Sequence, residues 1–519
     1  MFAIYSLLRF WQHHPALFYG FAFLIGIAWA LADSLWIPLL PILFLFLPFI
    51  ASIFINGRET KIIQPLLLAL LISFAGWGHI NAHHSFPLLP EGGIEGEALI
   101  KIKNLRQQSN PFGTKWVYRC EIIHFISDNA SISSLPCIIA LPVLDGADLP
   151  RPRPLADRNY WVKGKLMQTN NGTYSLKVSV KTPWKEIPNT WSLAEERYQW
   201  KLAVSQWIEA KFSHHLSAHF LAGLATGEFD DHWMRHQFSR FGIQHLLAIS
   251  GFHFAIIASC LSFALRLFFS TRVCALCLLI CLGAYCFFLG PQPSILRAWL
   301  MSTLALVGFF LEKQGTALNS LGIALLAVLG YDPLFCQELG FQLSFVTTAA
   351  ILLFYSPALT LFSNLLPKRN LSEVLNMNKW NQHGYCILSF LRQGLALTFA
   401  VNVVALPLTL YYFQQFPWIS LLYNLFFPLM ASLSLCLLLL GGALFFIPFL
   451  GNAIHQFNDA YTFFLLQAAY SVPQSIDHFF TMEVLSSFWL ICYLTTLALC
   501  GILWRANVLE PVFSIDDTP

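Results

Sequence analysis

Residues 244 to 254 read QHLLAISGFHF and run straight into AIIASCLSFAL. The stretch is apolar enough to enter a bilayer, yet it carries His245, Ser250, Gly251 and His253. Polar groups inside a membrane-crossing helix are costly unless they face a bundle interior or a water-filled cavity, so they mark a candidate site by default. On a continuous helix His253 is three residues beyond Ser250 and eight beyond His245, which gathers these groups on roughly one side. Two roles stay open for the pair Ser250-Gly251. It permits close helix packing, with both histidines bonded to neighbours, or it breaks the helix so that unwound backbone lines a cavity at membrane depth.

The rest of the chain has the same character. Of its 519 residues 56% are hydrophobic and 11% charged, far from the soluble average, and the composition is that of a polytopic α-helical membrane protein. Apolar runs of spanning length fall near 17–36, 37–55, 62–80, 246–269, 273–290, 294–312, 317–333, 339–359, 391–413, 419–447 and 484–504. About 10 to 12 spans are therefore expected. The run 419–447 is overlong and holds Pro428, so it reads as a kinked helix or as two half-helices; residues 454–475 read equally as an interfacial helix or a further span.

Basic residues in short loops fix the orientation. Arg9, Arg58 with Lys61, Arg266 with Arg272, Lys313, and Lys368 through Arg392 occupy alternate connections, whereas GPQPS and YYFQQFPW carry none. The amino terminus is thus expected in the cytoplasm, the long segment 81–240 outside it, and the tail after Arg505 inside. No cleavable leader is evident.

Between residues 91 and 190 the pattern becomes β. Tyr174, Leu176, Val178 and Val180 alternate with Ser175, Lys177, Ser179 and Lys181 after the turn dipeptide Asn171-Gly172, and YWVKGKLMQ supplies a partner strand. EALIKIKNL and TKWVYRCEIIHFI flank a second turn at NPFG. About five strands suit a small all-β domain of the OB type, exported and inserted after the third span. Its surface is basic and aromatic, as single-stranded nucleic acid binding requires. The candidates are Lys101, Lys103, Arg106, Lys115, Trp116, Arg119, Lys163, Lys165, Lys177 and Lys181, although a solvated face over a small core accounts for them equally well. From 191 to 240 an amphipathic helical linker is expected, with Trp200, Ala203, Val204 and Trp207 on one face. It lies on the outer membrane surface or bridges to the β domain.

Ten of the twelve cysteines sit in or beside apolar runs and act as small hydrophobes. Cys120 and Cys137 lie in the exported segment, where the compartment permits a disulfide. His232 and His236 have helical spacing but lack the intervening glutamate of a zinc-protease helix, and Cys274, Cys277 and Cys281 have no further ligand beside them; neither set makes a four-ligand zinc site. No cofactor is expected. Further along, Arg297 opens a span after PQPS, where it either snorkels to the interface or faces a conduit and binds phosphate. Gln342, Ser344 and Asn402 add uncharged polar groups on other spans.

In this order the pieces resemble the ComEC family of competence proteins. The resemblance is carried by LAGLATGEFDDHWMRHQFSRFGIQHLLAISGFHFAIIA (221–258), by 290–345 ending in GFQLSF, and by FAVNVVALPLTLYYF (399–413) with YNLFFPL. It implies passage of a single DNA strand through a bacterial inner membrane, with residues 1–80 as three spans, 91–190 as the β domain, 191–240 as the linker, 241–504 as the channel and 505–519 as a polar tail. Channel-lining residues by this resemblance are Ser250, Gly251, His253, Arg297, Gln342 and Ser344, to which His245 and Asn402 add themselves by position. The nuclease-type run His-x-His-x-Asp-His found in many members is absent, so no enzymatic activity is expected and strand degradation would fall to a separate nuclease. Single-stranded DNA, the lipid bilayer, a periplasmic DNA receptor and a cytoplasmic translocation motor are the implied partners, and a homo-oligomer is compatible with this. Two alternatives are carried forward. Ala248-Ile249-Ser250-Gly251 is similar to the Gly-x-Ser-Gly of rhomboid proteases, which would make an intramembrane serine hydrolase, and a transporter would move another polyanionic or lipid-linked cargo.

Overall fold

The computed structural model describes the chain apart from residues 1, 32–35, 57–59, 84–88, 91, 111–112, 128–129, 144–152, 169–172, 180–181, 230, 248–250, 314, 474–477, 484 and 510–519. Four helices come first: α1 (Phe2–His13), α2 (Pro15–Leu31), α3 (Trp36–Asn56) and α4 (Thr60–His83). Strands β1 (Ile94–Asn110), β2 (Gly113–Ser127), β3 (Ala130–Pro142), β4 (Asn159–Gln168), β5 (Tyr174–Val178) and β6 (Lys185–Glu186) follow. Then come α5 (Ala194–Lys211), α6 (His215–Thr226), α7 (His232–Arg240), a 3-10 turn at Gln244–Leu246, α8 (Gly251–Arg266), α9 (Thr271–Leu289), α10 (Pro293–Phe310) and α11 (Ala317–Tyr331). The chain continues through a 3-10 turn at Pro333–Gln337 into α12 (Leu339–Leu365), α13 (Leu371–Leu375), α14 (Lys379–Phe413), α15 (Ser420–Ala443), α16 (Pro448–Tyr470) and α17 (Ser487–Leu509).

Among the described residues seven helices, α4, α9, α10, α12, α14, α15 and α17, are long and apolar enough to cross a membrane, and α1 with α2 meets the same test as a pair bent by 97°. The Pro41–Ala51 stretch of α3, α8 and α11 are apolar but shorter. Outward faces carry Leu71, Phe74, Phe263 and Ile280 largely exposed, a surface that is unfavourable in water and indifferent in lipid. Prolines 357, 407 and 428 sit inside α12, α14 and α15, which is tolerated where neighbouring helices satisfy the freed carbonyls. The overlong run 419–447 is one helix through Pro428, not two halves. α14 begins at Lys379, so Arg392 lies inside a helix instead of in a loop; Arg505 likewise lies inside α17.

The helices build two cores. In one, α2, α3 and α4 pack with α11, α12, α14 and α17. The contact of α2 with α11 is glycine-mediated: a β-carbon on Gly322 would sit 2.2 Å from the Leu17 nitrogen, so only hydrogen permits this approach. In the other, Phe220, Phe238, Phe241, Phe254 and Phe427 bring α6, α7, α8 and α15 together. Residues 191–240 therefore form three helices, two of them buried in this core, rather than one surface helix. α5 is the bridge. Its first turn places Ala194 in the β core, and at its other end Ile208 belongs to the second helical core.

The strand pairings bear out both expected hairpins, β1 with β2 and β4 with β5. The order is β1-β2-β3-β5-β4, with β4 returning to pair with β1. Five strands thus close a ring, β3 and β5 running parallel. β1 spans both partners because register shifts at Leu99/Ile100 and Ile102/Asn104 bend it. Ala98, Ile100, Ile102, Tyr118, Ile122 and Phe125 fill the interior. Cys120 and Cys137 stand directly opposite on β2 and β3, both buried, as free thiols. Arg153 closes the junction to α5 with a two-pronged pair to Glu195, at 2.9 and 2.6 Å, and stacks over Trp116 and Tyr198.

Candidate functional site

The hairpin between α9 and α10 sets the first residue of the site. Gly290 turns the chain at φ 92° and Pro293 starts α10 at a position where its missing N–H is harmless. Arg297 follows one turn later and is 7% exposed. Its Nη1 donates to the Ser344 carbonyl of α12, an oxygen that also accepts from the Thr348 hydroxyl at 2.8 Å. Its Nη2 lies 2.9 Å from where a β-carbon on Gly251 would be. The glycine, the first residue of α8, therefore clears room for the guanidinium. Nε is buried and has no hydrogen-bond partner among the described residues.

Among the described residues no carboxylate pairs with Arg297, whose bonded partner is the Ser344 carbonyl. A buried cation without an anion is unfavourable by several kcal/mol. The species that suits an unpaired guanidinium fork is an anion.

The remaining sequence-derived candidates fall into different places. His253 is buried, 3% exposed, two residues from Gly251 and so about 200° around the helix. It lines a small cleft with Leu246, Ile256, Pro428, Ala431 and Leu435 on the side of α15. His245 belongs to the separate 3-10 turn. His245 and His253 thus lie on different elements, a 3-10 turn and α8. Ser250 lies outside the described residues. Gln342 is tied into the fold, donating to the Cys336 carbonyl at 3.0 Å and accepting from Tyr412 Oη at 2.7 Å. Asn402 bonds back to the Thr398 carbonyl of its own helix.

On the β domain Lys101, Lys103, Arg106, Lys115, Arg119, Lys163 and Lys177 are exposed and Lys165 is half-buried; Lys181 lies outside the described residues. Several are engaged. Lys163 pairs with Glu97 at 2.8 Å, Lys103 with Glu121 at 3.2 Å, and Arg119 reaches Glu338 at 3.5 Å. The last pair ties the β domain to the start of α12, beside Gln342. Trp116 is half-covered by Arg153 and Tyr198 instead of offering an open ring.

Three features escaped sequence reasoning. Arg392 is 4% exposed and donates to the Leu366 carbonyl at 3.1 Å, and Arg505 donates to the Leu352 carbonyl. Both had the appearance of loop charges obeying the positive-inside rule. Asp459 on α16 accepts from the Ser213 and His214 amides at 2.8 and 3.3 Å and lies 3.1 Å from His214 Nδ1. Beside it Asn458, Thr462 and Ser434 form a buried polar chain. A spacing of polar residues at 455, 458, 459 and 462 was the available signal.

Fold and site together define a chain of many apolar helices, a closed β domain and a buried, carboxylate-free arginine. A family model described as Competence protein matches residues 225–507, more than half of the sequence, and the chain belongs to that family. ComE operon protein 3 of Bacillus subtilis (strain 168) is 28% identical over 189 residues, covering 36% of this chain and 21% of the relative. The match thus spans about one fifth of that curated relative. No solved structure matches.

Proposed function

We propose that the chain is a multi-pass inner-membrane component of DNA uptake that passes a single strand across the bilayer without cutting it. Membership of the competence family supports the process. The observation that carries the strand-passing role is Arg297, a buried guanidinium against Gly251 that has no carboxylate partner among the described residues. Phosphate is the anion whose geometry fits that fork. The β domain supports an outer receptor role: the ring β1-β2-β3-β5-β4-β1 is the order of an OB barrel, a fold that uses its strand 2–3 face and neighbouring loops for oligonucleotides. Lys115 and Arg119 lie on β2. The amino terminus and the tail are cytoplasmic in this scheme, and nuclease, receptor and motor are separate proteins.

A strain lacking the chain, complemented with Arg297→Gln, tests the role. Uptake of labelled DNA should drop by at least about a hundredfold, since a buried phosphate contact of about 3 kcal/mol is lost. Normal uptake with Arg297→Gln would refute it.

A further inference from the structure

α12 and its carboxyl-terminal cap receive three guanidiniums on their backbone carbonyls: Arg297 of α10 at Ser344, Arg505 of α17 at Leu352 and Arg392 of α14 at the cap residue Leu366. Three helices from different parts of the sequence thus aim their arginines at one helix. The accepting residues are 8 and 22 positions apart. Ser344 and Leu352 lie about 80° apart around α12, and Leu366, just past its end and no longer helical, brings the spread along the axis to about 33 Å, close to the roughly 30 Å of a hydrocarbon core. Thr348 and Tyr355 lie in the same arc.

None of the helices bordering this face, α10, α12, α14 or α17, contains an aspartate or glutamate. Each arginine uses one or two of its five N–H groups on carbonyl or hydroxyl oxygens. Carbonyls orient a guanidinium while leaving its full charge uncompensated, unlike a carboxylate. Arg240 shows that burial on a carbonyl occurs elsewhere too, at Val472. What distinguishes the α12 set is that it repeats along one face from the outer third of the helix to its carboxyl end.

We infer that this face of α12 is the track for the translocating strand, its phosphates passing from Arg297 to Arg505 to Arg392. The inference rests on the function proposed above and adds the route and two further positioning residues, Arg505 and Arg392. A polyanion meeting three cations and no acid has neither a trap nor a barrier of like sign along its way.

The test uses the full chain in lipid nanodiscs with fluorescent oligothymidylate, alongside uptake of labelled DNA in the complemented strain. Arg505→Gln and Arg392→Gln should each lower uptake at least about tenfold and reduce the dependence of log affinity on log salt by about 0.7 per arginine removed. Arg505→Lys should restore most of that slope, and Arg272→Gln, an exposed surface arginine paired with Glu312, should change neither readout. Loss confined to Arg297→Gln, with slope and uptake normal in Arg505→Gln and Arg392→Gln, would overturn the track. If Arg505→Gln does not accumulate in the membrane, Arg505→Lys decides: a slope kept near wild type supports the track and a slope reduced by one contact overturns it. Wild-type protein that neither binds the oligonucleotide nor supports uptake would instead sink the proposed function itself.

Discussion

A β-carbon on Gly251 would lie 2.9 Å from Nη2 of Arg297, closer than real side-chain contacts allow. The glycine is helical and its φ is not in the left-handed region, so its function is space and not backbone freedom. Gly251→Ala should therefore leave stability unchanged or raise it by up to about 1 kcal/mol through helix propensity. DNA uptake should fall about tenfold, as the guanidinium is pushed from its seat at a cost near 1.4 kcal/mol. Uptake at the wild-type level in a strain expressing Gly251→Ala would show that Arg297 needs no such clearance.

Glu195 holds the β domain to α5. Burial alone would raise its carboxyl, but hydrogen bonds from Arg153, the Ala156 amide and Gln199 outweigh burial and hold it below the ordinary carboxylate range. A depressed folded value means that the stabilisation is present above the unfolded pKa and is lost as pH falls through the folded one. Thermal melts should show the wild type losing stability relative to Glu195→Gln on acidification below about pH 4.5. At pH 7 Glu195→Gln should be about 2 kcal/mol less stable, the penalty of a broken, mostly buried pair tempered by its residual solvent contact. Identical pH profiles would remove Glu195 as the clasp.

Asp459 caps the start of α6 from another helix. Asp459→Ala strands two amides, Ser213 and His214, and should destabilise the full chain by about 2 kcal/mol, the upper range for a lost cap. Asp459→Asn, which keeps one acceptor oxygen, should recover about half of that. Chemical denaturation in detergent micelles reads both, and equal losses for the two variants would point to charge instead of capping.

Cys120 and Cys137 face each other inside the barrel, and burial raises the Cys120 thiol well above its ordinary value. Iodoacetamide at pH 8 should therefore label neither residue in the folded protein after reduction, and both in guanidinium. Rapid native labelling of either would mean that the barrel opens at β2 and β3.

The bridge from Arg119 to Glu338 is exposed on both sides, 47% and 39%. Reversing one charge should change stability by less than about 1 kcal/mol, and the effect should vanish in high salt. The exchange Arg119→Glu with Glu338→Arg should return the low-salt melting curve to wild type; failure of the double variant to recover would show that the two residues do not act as a pair.

Much of this protein is written locally. The helices of spanning length, the β segment with its two hairpins and the polar character of 244–254 follow from hydropathy, alternation and turn chemistry, which act over a few residues. The family could be recognised from HLLAISGFHF, the Arg297 span and GFQLSF for the same reason. Local pattern also gave two misleading answers. His245 and His253 share a helix face only if one α-helix carries both, and His245 lies in a 3-10 turn instead. Arg392 and Arg505 count as loop charges only if the helices stop short of them.

What the tertiary structure alone decided is which distant groups meet. Burial of Arg297, the clearance at Gly251, the three arginines on α12 and the cap from Asp459 to α6 all join residues tens to hundreds of positions apart. A guanidinium on its long stem reaches beyond its own helix, so its partner is set by how helices are arranged and not by its neighbours in sequence. That Arg297 lies against Gly251 while His253 lines a separate cleft against α15 came from packing.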